Sequence, residues 1–173
     1  MKMRLAGYHT DSIVDGPGIR LAIYFQGCPH GCPGCHNQET HDPTGGQEVD
    51  IEQVIDFINR GSGLDGVTLS GGEPFEQPAA AAALAAATAK RDLNLVLYSG
   101  YSFETLLDVS RKDSHVQFIL EKGWLLIDGP FIQVERDLNL PYRGSRNQRI
   151  IDLLLSLQKG QAVIWEKLTS REG

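Results

Sequence analysis

The stretch that decides the fold spans residues 21–37 and reads LAIYFQGCPHGCPGCHN. Its first five residues are an unbroken apolar run, which predicts a buried strand over 21–25. Gly27 ends this run, and the glycines and prolines that follow predict a tight loop, the cysteine loop (residues 26–37), which carries all three cysteines of the chain. In a parallel sheet, functional loops follow the carboxyl ends of the strands, and the cysteine loop has such a position.

Strands and helices alternate along the rest of the chain. Further short strands are predicted over 67–69, 95–98, 124–127 and 162–165. Helices are predicted over 50–60 and 78–90, from residue 102, around 116–120 and from 145 to 160. The last of these is placed by a capping-box pattern, Ser145 with Gln148, before apolar residues at 150, 151, 154, 155 and 157.

This alternation predicts an α/β fold with parallel pairing and right-handed crossovers. Five such units are too few for a closed eight-stranded barrel, so we expect an open or partial β/α barrel of five to six mainly parallel strands. The expected extent is a single domain, residues 1–173. Four loops follow predicted strands and should meet at one edge of the sheet: the cysteine loop, Gly71-Gly72, Ser99-Gly100 and Asp128-Gly129.

Composition excludes several classes of function. The chain has 173 residues, of which 41% are hydrophobic and 22% charged, as in ordinary globular domains. Its net charge of −6 argues against a nucleic-acid partner. The longest apolar run, residues 79–87, is alanine-rich and too short to span a bilayer, so no membrane partner is expected. The first residues lack the apolar core of a signal peptide, and the expected location is the cytoplasm.

Four arginines form a local basic stretch at positions 136, 143, 146 and 149. Glu135 and Asp137 dilute its charge. The stretch is equally compatible with a face that docks a partner and with a solvated or internally paired face, and both interpretations stay open.

The cysteines at 28, 32 and 35 have the spacing C-x3-C-x2-C. An odd number so close together is a poor disulfide framework, whereas a shared ligand in a reduced compartment fits it. Soft thiolates select iron–sulfur clusters, zinc or copper(I). Three thiolates leave one iron of a [4Fe–4S] cube without a protein ligand and therefore open for reaction. Zinc with His30 or His36 as fourth ligand is an alternative that spacing alone does not remove.

The cysteine motif, followed after the next strand by Gly71-Gly72-Glu73-Pro74, resembles the radical S-adenosylmethionine superfamily. Residues 14–20 (VDGPGIR) and 25–29 (FQGCP) narrow the resemblance to activating enzymes of glycyl radical proteins. Residues 98–104, 127–131 and 136–150 resemble those that activate anaerobic (class III) ribonucleotide reductases. The resemblance runs from about residue 8 to residue 157 and favours a cluster over zinc.

This resemblance implies a partial barrel of the radical S-adenosylmethionine type and one [4Fe–4S] cluster on Cys28, Cys32 and Cys35. It implies that the open iron binds S-adenosylmethionine, and that a flavodoxin or ferredoxin type donor supplies one electron. Cleavage then yields methionine and a 5′-deoxyadenosyl radical, which removes a hydrogen from a glycine of the anaerobic ribonucleotide reductase. An activase of another glycyl radical enzyme, such as pyruvate formate-lyase, is the alternative, and a non-catalytic zinc module is a third.

The resemblance also implies a set of cofactor-binding residues: Gly34, Cys35, His36, Gly71, Gly72, Glu73, Ser99, Asp128 and Gly129. The two consecutive glycines would admit the methionine part, and Glu73 would accept from its amino group. Many superfamily members carry an aromatic residue where this chain has Gly34, which puts stacking on adenine at that position in doubt. Many related activators have a lysine near the turn at 128–129, and none is present between 127 and 131.

Asp15 and Arg20 bracket a Gly-Pro-Gly turn just before the first predicted strand. We expect this segment to help admit the glycine loop of the partner. The alternative is a rigid turn held by a buried Asp–Arg pair.

Overall fold

Residues 1–166 are the part of the chain that this computed structural model describes, and they form one mixed sheet with helices. The strands are β1 (Lys2–Ser12), β2 (Arg20–Phe25), β3 (Gln47–Asp50), β4 (Gly66–Gly71), β5 (Asn94–Ser99), β6 (Leu125–Asp128) and β7 (Arg149–Asp152). The helices are α1 (Ile51–Arg60), α2 (Pro78–Lys90), α3 (Phe103–Ser110), α4 (Ser114–Lys122) and α5 (Leu153–Lys159). Residues 167–173 of the expected domain lie outside the described part.

The strands are ordered β3-β1-β2-β4-β5-β6-β7 in the sheet. The four strands from β2 to β6 in this order pair in parallel, which confirms the predicted parallel α/β arrangement. The edge pairs β3–β1, β1–β2 and β6–β7 are antiparallel. The expectation of five to six mainly parallel strands is wrong: within residues 1–166 the sheet has seven strands, and three of its six pairs are antiparallel.

The two faces of the sheet bury different sets of apolar residues. On strand β5, Leu95 and Leu97 belong to the large core that the helices cover, whereas Val96 belongs to a smaller cluster on the other face. In that large core, helix α2 contributes Ala81 and Ala85, both fully buried, because alanine lets it lie close to its neighbours. The helices cover one face, and a site can form at the carboxyl edge of the parallel strands.

Strands β1 and β3 are absent from the sequence prediction. Only Met3, Leu5 and Ser12 of the eleven residues of β1 are buried, and β3 lies at the edge of the sheet with no buried residue. Both strands lack the apolar run that marks a buried central strand, because water remains in contact with much of their length.

The predicted helix from Ser145 is wrong in its first half. The side-chain oxygen of Gln148 accepts hydrogen bonds from the backbone N–H groups of Gly144 and Ser145, which closes a turn instead of starting a helix. The next residues then extend and pair with β6 as β7. Helix α5 begins only at Leu153, where Asp152 caps it by accepting from Leu155 N at 3.0 Å.

The strand predicted over 162–165 is also wrong. That segment contributes a single bridge, Ile164 with Ile151, beside β7. The other predicted helices are confirmed: α1, α2, α3 with Ser102 as its cap, and α4, and Gly160 ends α5 in a left-handed conformation. Within residues 1–166, no helix is long and apolar enough to cross a membrane.

Candidate active site

Four loops meet at the carboxyl edge of the parallel strands, as the sequence predicts. They follow β2, β4, β5 and β6 and enclose a cavity of about 130 Å³. Residues of all four loops line it, among them Cys28, Cys32, Cys35, Gly72, Ser99, Gly129 and Phe131. A larger cavity of about 500 Å³ adjoins the first and shares Cys35, Ser70, Tyr98 and Phe131 with it. The site thus has one compartment at the cysteines and a second one beside them.

The three cysteines carry free, half-buried thiols. Their loop is anchored by backbone hydrogen bonds from Gly27 N to Thr40 O and from Cys28 N to His41 O. Burial raises the pKa of Cys28 and of Cys35. Thiols in such surroundings become thiolates when a cation such as cluster iron binds them, and the donor set fits that group.

All three cysteines line the smaller cavity. A four-iron cube gives each thiolate its own iron, so its ligands need to line one cavity without meeting at one point. His30, a possible fourth ligand for zinc, has its Nε2 2.8 Å from Glu73 Oε2, and His36 is exposed, with its ring 5.5 Å from that of Phe131.

Gly71 and Gly72 bring the β4 loop against the cysteine loop. A Cβ at Gly71, whose φ is +89°, would lie 2.6 Å from Phe25 N, and a Cβ at Gly72 would lie 2.3 Å from Gly27 O. Glu73 N donates to the same Gly27 carbonyl at 2.8 Å. The glycines therefore serve first to join two loops of the chain, and their expected role toward the methionine part stays a prediction.

The carboxylate of Glu73 is fully buried and hydrogen-bonded to Ser99, Gly100 and His30. Ser99, expected on the far wall of the cofactor site, lines the smaller cavity and also donates its hydroxyl to Glu73. The expected bond from Glu73 to an amino group of the cofactor stays a prediction.

Gly34 has a φ of +73°, and a Cβ there would lie 2.9 Å from Gln133 Cδ. An aromatic side chain at that position would therefore require both backbone strain and displacement of Gln133. Phe131 supplies an aromatic ring to both cavities and lies close to Gly144. His36, on the other flank of Cys35, lines the larger cavity.

Within the Asp128-Gly129 turn, only Gly129 is a wall residue of the described cavities. The Asp128 carboxylate accepts from Phe103 N at 2.8 Å and from Arg149 Nε and Nη2 at 3.0 and 2.5 Å. Arg149 also bonds to Glu104 at 2.8 Å, and these two carboxylates raise its pKa. One of the four arginines is thus internally paired, whereas Arg136 and Arg146 are exposed.

Asp15 and Arg20 are linked through Thr68, whose hydroxyl accepts from Arg20 Nε and donates to the backbone carbonyl of Asp15 at 2.7 Å. Arg20 is fully buried; its Nε donates to Thr68 Oγ1 at 2.7 Å, and its Nη groups donate to backbone carbonyls. Burial lowers its pKa to about 10. Asp15 lines the larger cavity and accepts from Tyr24 Oη at 2.9 Å and from Ser12 Oγ. Within the described residues no hydrogen bond or ion pair joins the Asp15 carboxylate directly to Arg20, so the expected pair is absent. The rigid turn of that alternative fits the bonds through Thr68 and to the carbonyl of Pro17.

Several wall residues were outside the sequence prediction of the site. Asn37, Ser70, Tyr98, Phe131 and Gln148 line both cavities. The sequence could have indicated Phe131 as a site residue, because it follows the Asp128-Gly129 turn after a predicted strand. It could not have indicated Gln148, since the pattern of Gln148 with Ser145 predicted the start of a helix.

The chain matches known proteins over most of its length. The model of the 4Fe-4S single cluster domain family matches residues 14–151. The anaerobic ribonucleoside-triphosphate reductase-activating protein of Vibrio cholerae is 33% identical over 151 residues, which cover 83% of this chain and 94% of that protein. The protein of the same name from Escherichia coli K12 is 30% identical over 149 residues, covering 82% of this chain and 93% of that protein.

Two partial similarities are shorter. The pyruvate formate-lyase 1-activating enzyme of E. coli K12 is 42% identical over 81 residues, which cover 43% of this chain and 32% of that enzyme. The crystal structure of QueE from E. coli aligns with 58% of this chain and 53% of that chain at 19% identity and a TM-score of 0.46. That structural likeness is too partial to support an argument.

Two observations define the class of protein. The chain matches the 4Fe-4S single cluster domain family, and its cysteine loop follows β2 at the carboxyl edge of the parallel strands. The chain is an iron–sulfur enzyme of the radical S-adenosylmethionine, glycyl radical activating kind. Within this class it belongs to the family of anaerobic ribonucleoside-triphosphate reductase-activating proteins, because its similarity to them extends over nearly their whole length.

Proposed function

We propose that this protein generates a glycyl radical on an anaerobic ribonucleotide reductase. Bound at this site and reduced by one electron, a [4Fe–4S] cluster would supply the electron that cleaves S-adenosylmethionine into methionine and a 5′-deoxyadenosyl radical. That radical would take a hydrogen from a glycine of the partner. The reductant is an electron carrier of the flavodoxin or ferredoxin type, and the reaction takes place in the cytoplasm without nucleic acid or membrane. The sheet is the open part of a β/α barrel whose mouth is this site.

The residues of the chain have separate tasks in this proposal. Cys28, Cys32 and Cys35 hold the cluster. Glu73 accepts from the amino group of the cofactor, and the close approach at Gly71 and Gly72 keeps that loop against the cysteines. All of these groups lie at one edge of the sheet, so the reacting atoms are held close together and shielded from water.

The remaining cofactor residues lie farther from the cluster. Gly34 and His36 lie beside Cys35 on the nucleotide side, while Ser99, Asp128 and Gly129 form or support the far wall. Since Gly34 has no side chain, Phe131 is the aromatic residue that we propose packs on the adenine. Asp15 faces the glycine segment of the partner in the larger cavity, and Arg20 supports the chain's own turn at residues 16–18 from beneath.

The observation that supports the proposal most is the continuity of the two cavities. The smaller one contains all three cysteines, and the larger one opens beside Cys35 with about 500 Å³ of space. Hydrogen abstraction requires the glycine to reach the cofactor within van der Waals contact. A compartment next to the cysteines provides room for such a segment.

A pyruvate formate-lyase type partner is the second candidate, because 81 residues of the chain are 42% identical to an activating enzyme of that group. Coverage separates the two candidates. The similarity to that enzyme extends over 32% of its length, against 94% for the reductase-activating protein of V. cholerae.

The test is electron paramagnetic resonance of each candidate partner after anaerobic mixing with the reconstituted protein, reductant and S-adenosylmethionine. We expect a glycyl radical doublet on the reductase that requires all three additions, and none on pyruvate formate-lyase. The Cys32→Ala variant should lose cluster and signal together. A colourless protein that holds one zinc per chain, or a signal on the lyase alone, would refute the proposal.

A further inference from the structure

The most exposed large apolar side chains of the protein gather at the larger cavity. Within residues 1–166, the four with the greatest exposed fraction are Val134, Leu138, Val14 and Ile13. Three of these line that cavity: Ile13 is 70% exposed, Val14 72% and Leu138 75%. Single exposed apolar residues are common on protein surfaces, whereas a group of them that borders one cavity marks an interaction site.

Leu138 lies on the hairpin arm (residues 136–145), which is fixed to the sheet. An antiparallel bridge joins the two ends of this arm. Near its middle, Tyr98 of strand β5 donates its hydroxyl to the backbone carbonyl of Tyr142 at 2.7 Å. The hairpin arm is therefore in place before any partner binds, and little ordering of its backbone is left for binding to achieve.

The other two apolar residues lie on the turn arm (residues 13–18), which is fixed as well. Tyr24 of strand β2 donates its hydroxyl to the carboxylate of Asp15 at 2.9 Å. The buried Arg20 donates to the backbone carbonyl of Pro17 at 2.8 Å. Two parts of the chain that are more than a hundred residues apart thus present apolar side chains to one cavity from anchored backbones.

We propose that the turn arm and the hairpin arm bind the glycine segment of the partner reductase through apolar side chains that flank its glycine. The inference rests on the proposed function, in which this segment enters the larger cavity. It adds the chemistry of the segment and the residues that select it: Ile13, Val14 and Leu138 are the contacts, and the partner residues on them are apolar.

The chemistry of glycine requires contacts of this kind. The residue that loses its hydrogen has no side chain, so neighbouring residues of the partner have to supply the affinity and fix its position. Burial of exposed apolar surface is the main source of such affinity. The larger cavity shares Cys35 and Tyr98 with the smaller one, so a segment held by the two arms lies next to the expected cofactor.

Four variants test the inference. Ile13→Ser and Leu138→Ser each remove one apolar side chain, one on each arm, and Leu138→Met keeps an apolar side chain at the same position. Leu154→Ser is the matched control, because Leu154 is 65% exposed on helix α5 and lines neither cavity.

Three measurements on the reconstituted proteins separate the possible occupants of this surface. The first is the concentration of anaerobic ribonucleotide reductase that gives half of the maximal initial rate of glycyl radical formation, followed by electron paramagnetic resonance. The second is the dissociation constant of S-adenosylmethionine, measured by calorimetry. The third is the mass of the protein in solution, measured by sedimentation, because a second copy of this chain is the competing occupant.

We expect the half-maximal concentration of reductase to rise about tenfold in Ile13→Ser and in Leu138→Ser, the effect of losing one buried apolar side chain at an interface. The maximal rate and the dissociation constant of S-adenosylmethionine should equal those of the parent. Leu138→Met and Leu154→Ser should match the parent in all three measurements.

A parental half-maximal concentration in both serine variants would overturn the inference and leave the proposed function standing. Weaker binding of S-adenosylmethionine in either variant would also overturn it, since the residue would then act on the cofactor. A parent dimer that dissociates in the serine variants would assign the surface to a second copy and overturn it too. A parent that forms no glycyl radical on the reductase would overturn the proposed function and this inference with it.

Discussion

At the scale of the residue, Arg20 shows how one buried cation is held without a carboxylate. Its guanidinium donates to Thr68 Oγ1 and to the carbonyls of Pro17, Val67 and Asn94. These bonds join the turn before β2 to strands β4 and β5. Arg20, which was expected to help admit the partner, therefore lies beneath the site. It acts by holding together the backbone of the turn before β2 and of strands β4 and β5.

We predict that Arg20→Ala lowers the free energy of unfolding by about 3 kcal/mol, because four acceptors lose their donor and a cavity remains. Arg60→Ala is the control: its pair with Asp56 is exposed on helix α1, and its loss should cost less than about 0.5 kcal/mol. Urea unfolding of the two variants measures both values. Equally small losses of unfolding free energy in the two variants would contradict the supporting role of the buried Arg20 side chain.

Gly72 gives a second prediction at this scale. A Cβ there would meet the carbonyl oxygen of Gly27 at 2.3 Å, so Gly72→Ala should push the cysteine loop away and lower iron incorporation several-fold. Gly7→Ala is the matched control, because a Cβ at Gly7 meets nothing within 4 Å. Iron analysis after reconstitution decides, and full incorporation in Gly72→Ala would contradict the close contact.

At the scale of the element, the region after residue 145 is where the structure departs from the helix that the sequence pattern predicts. A helix starting at Ser145 would place Leu154 on its inner face. In the structure Leu153 is fully buried and Leu154 is 65% exposed, because the chain first forms β7 and only then turns into α5. The two leucines therefore report directly on where the helix begins.

We predict that Leu153→Ala costs about 3 kcal/mol of unfolding free energy, as expected for a buried leucine. Leu154→Ala should cost less than about 0.5 kcal/mol, as expected for an exposed one. Thermal and urea unfolding of the two variants measure the difference. A larger loss of unfolding free energy in Leu154→Ala than in Leu153→Ala would support a helix that begins at Ser145 and would contradict strand β7.

What the sequence could predict at this scale follows from how each element is stabilised. Strands β2, β4, β5 and β6 are central and mostly buried, so each leaves an apolar run, and the loops after them identify the site. Strands β1 and β3 are stabilised by their neighbours across the sheet, which local pattern does not record. The partners of Glu73 also escaped prediction, because His30 and Gly100 are distant from it in sequence.

At the scale of the whole molecule, the regular secondary structure and the expected cluster ligands lie in different parts of the chain. The sheet and its helices form the continuous core, whereas the stretch between β2 and β3 contains one short 3-10 turn, Gln38–Thr40. Few backbone hydrogen bonds hold this stretch, among them Cys35 N to Cys32 O and Thr40 N to Asn37 O. The expected cluster ligands are thus carried by a stretch with little regular secondary structure, at the carboxyl edge of the sheet.

This division predicts where a bound cluster stabilises the protein. A ligand that binds only the folded loop raises the free energy of its opening, while the core opens by a separate and more costly process. Hydrogen exchange of the reconstituted and the cluster-free protein should therefore differ over residues 27–41. The amide of Gly100 should gain protection too, because it donates to Glu73, which His30 links to the cysteine loop. Helices α1 and α4 should exchange equally in both forms, and an equal gain across the whole sheet would show that the loop and the core open as one unit.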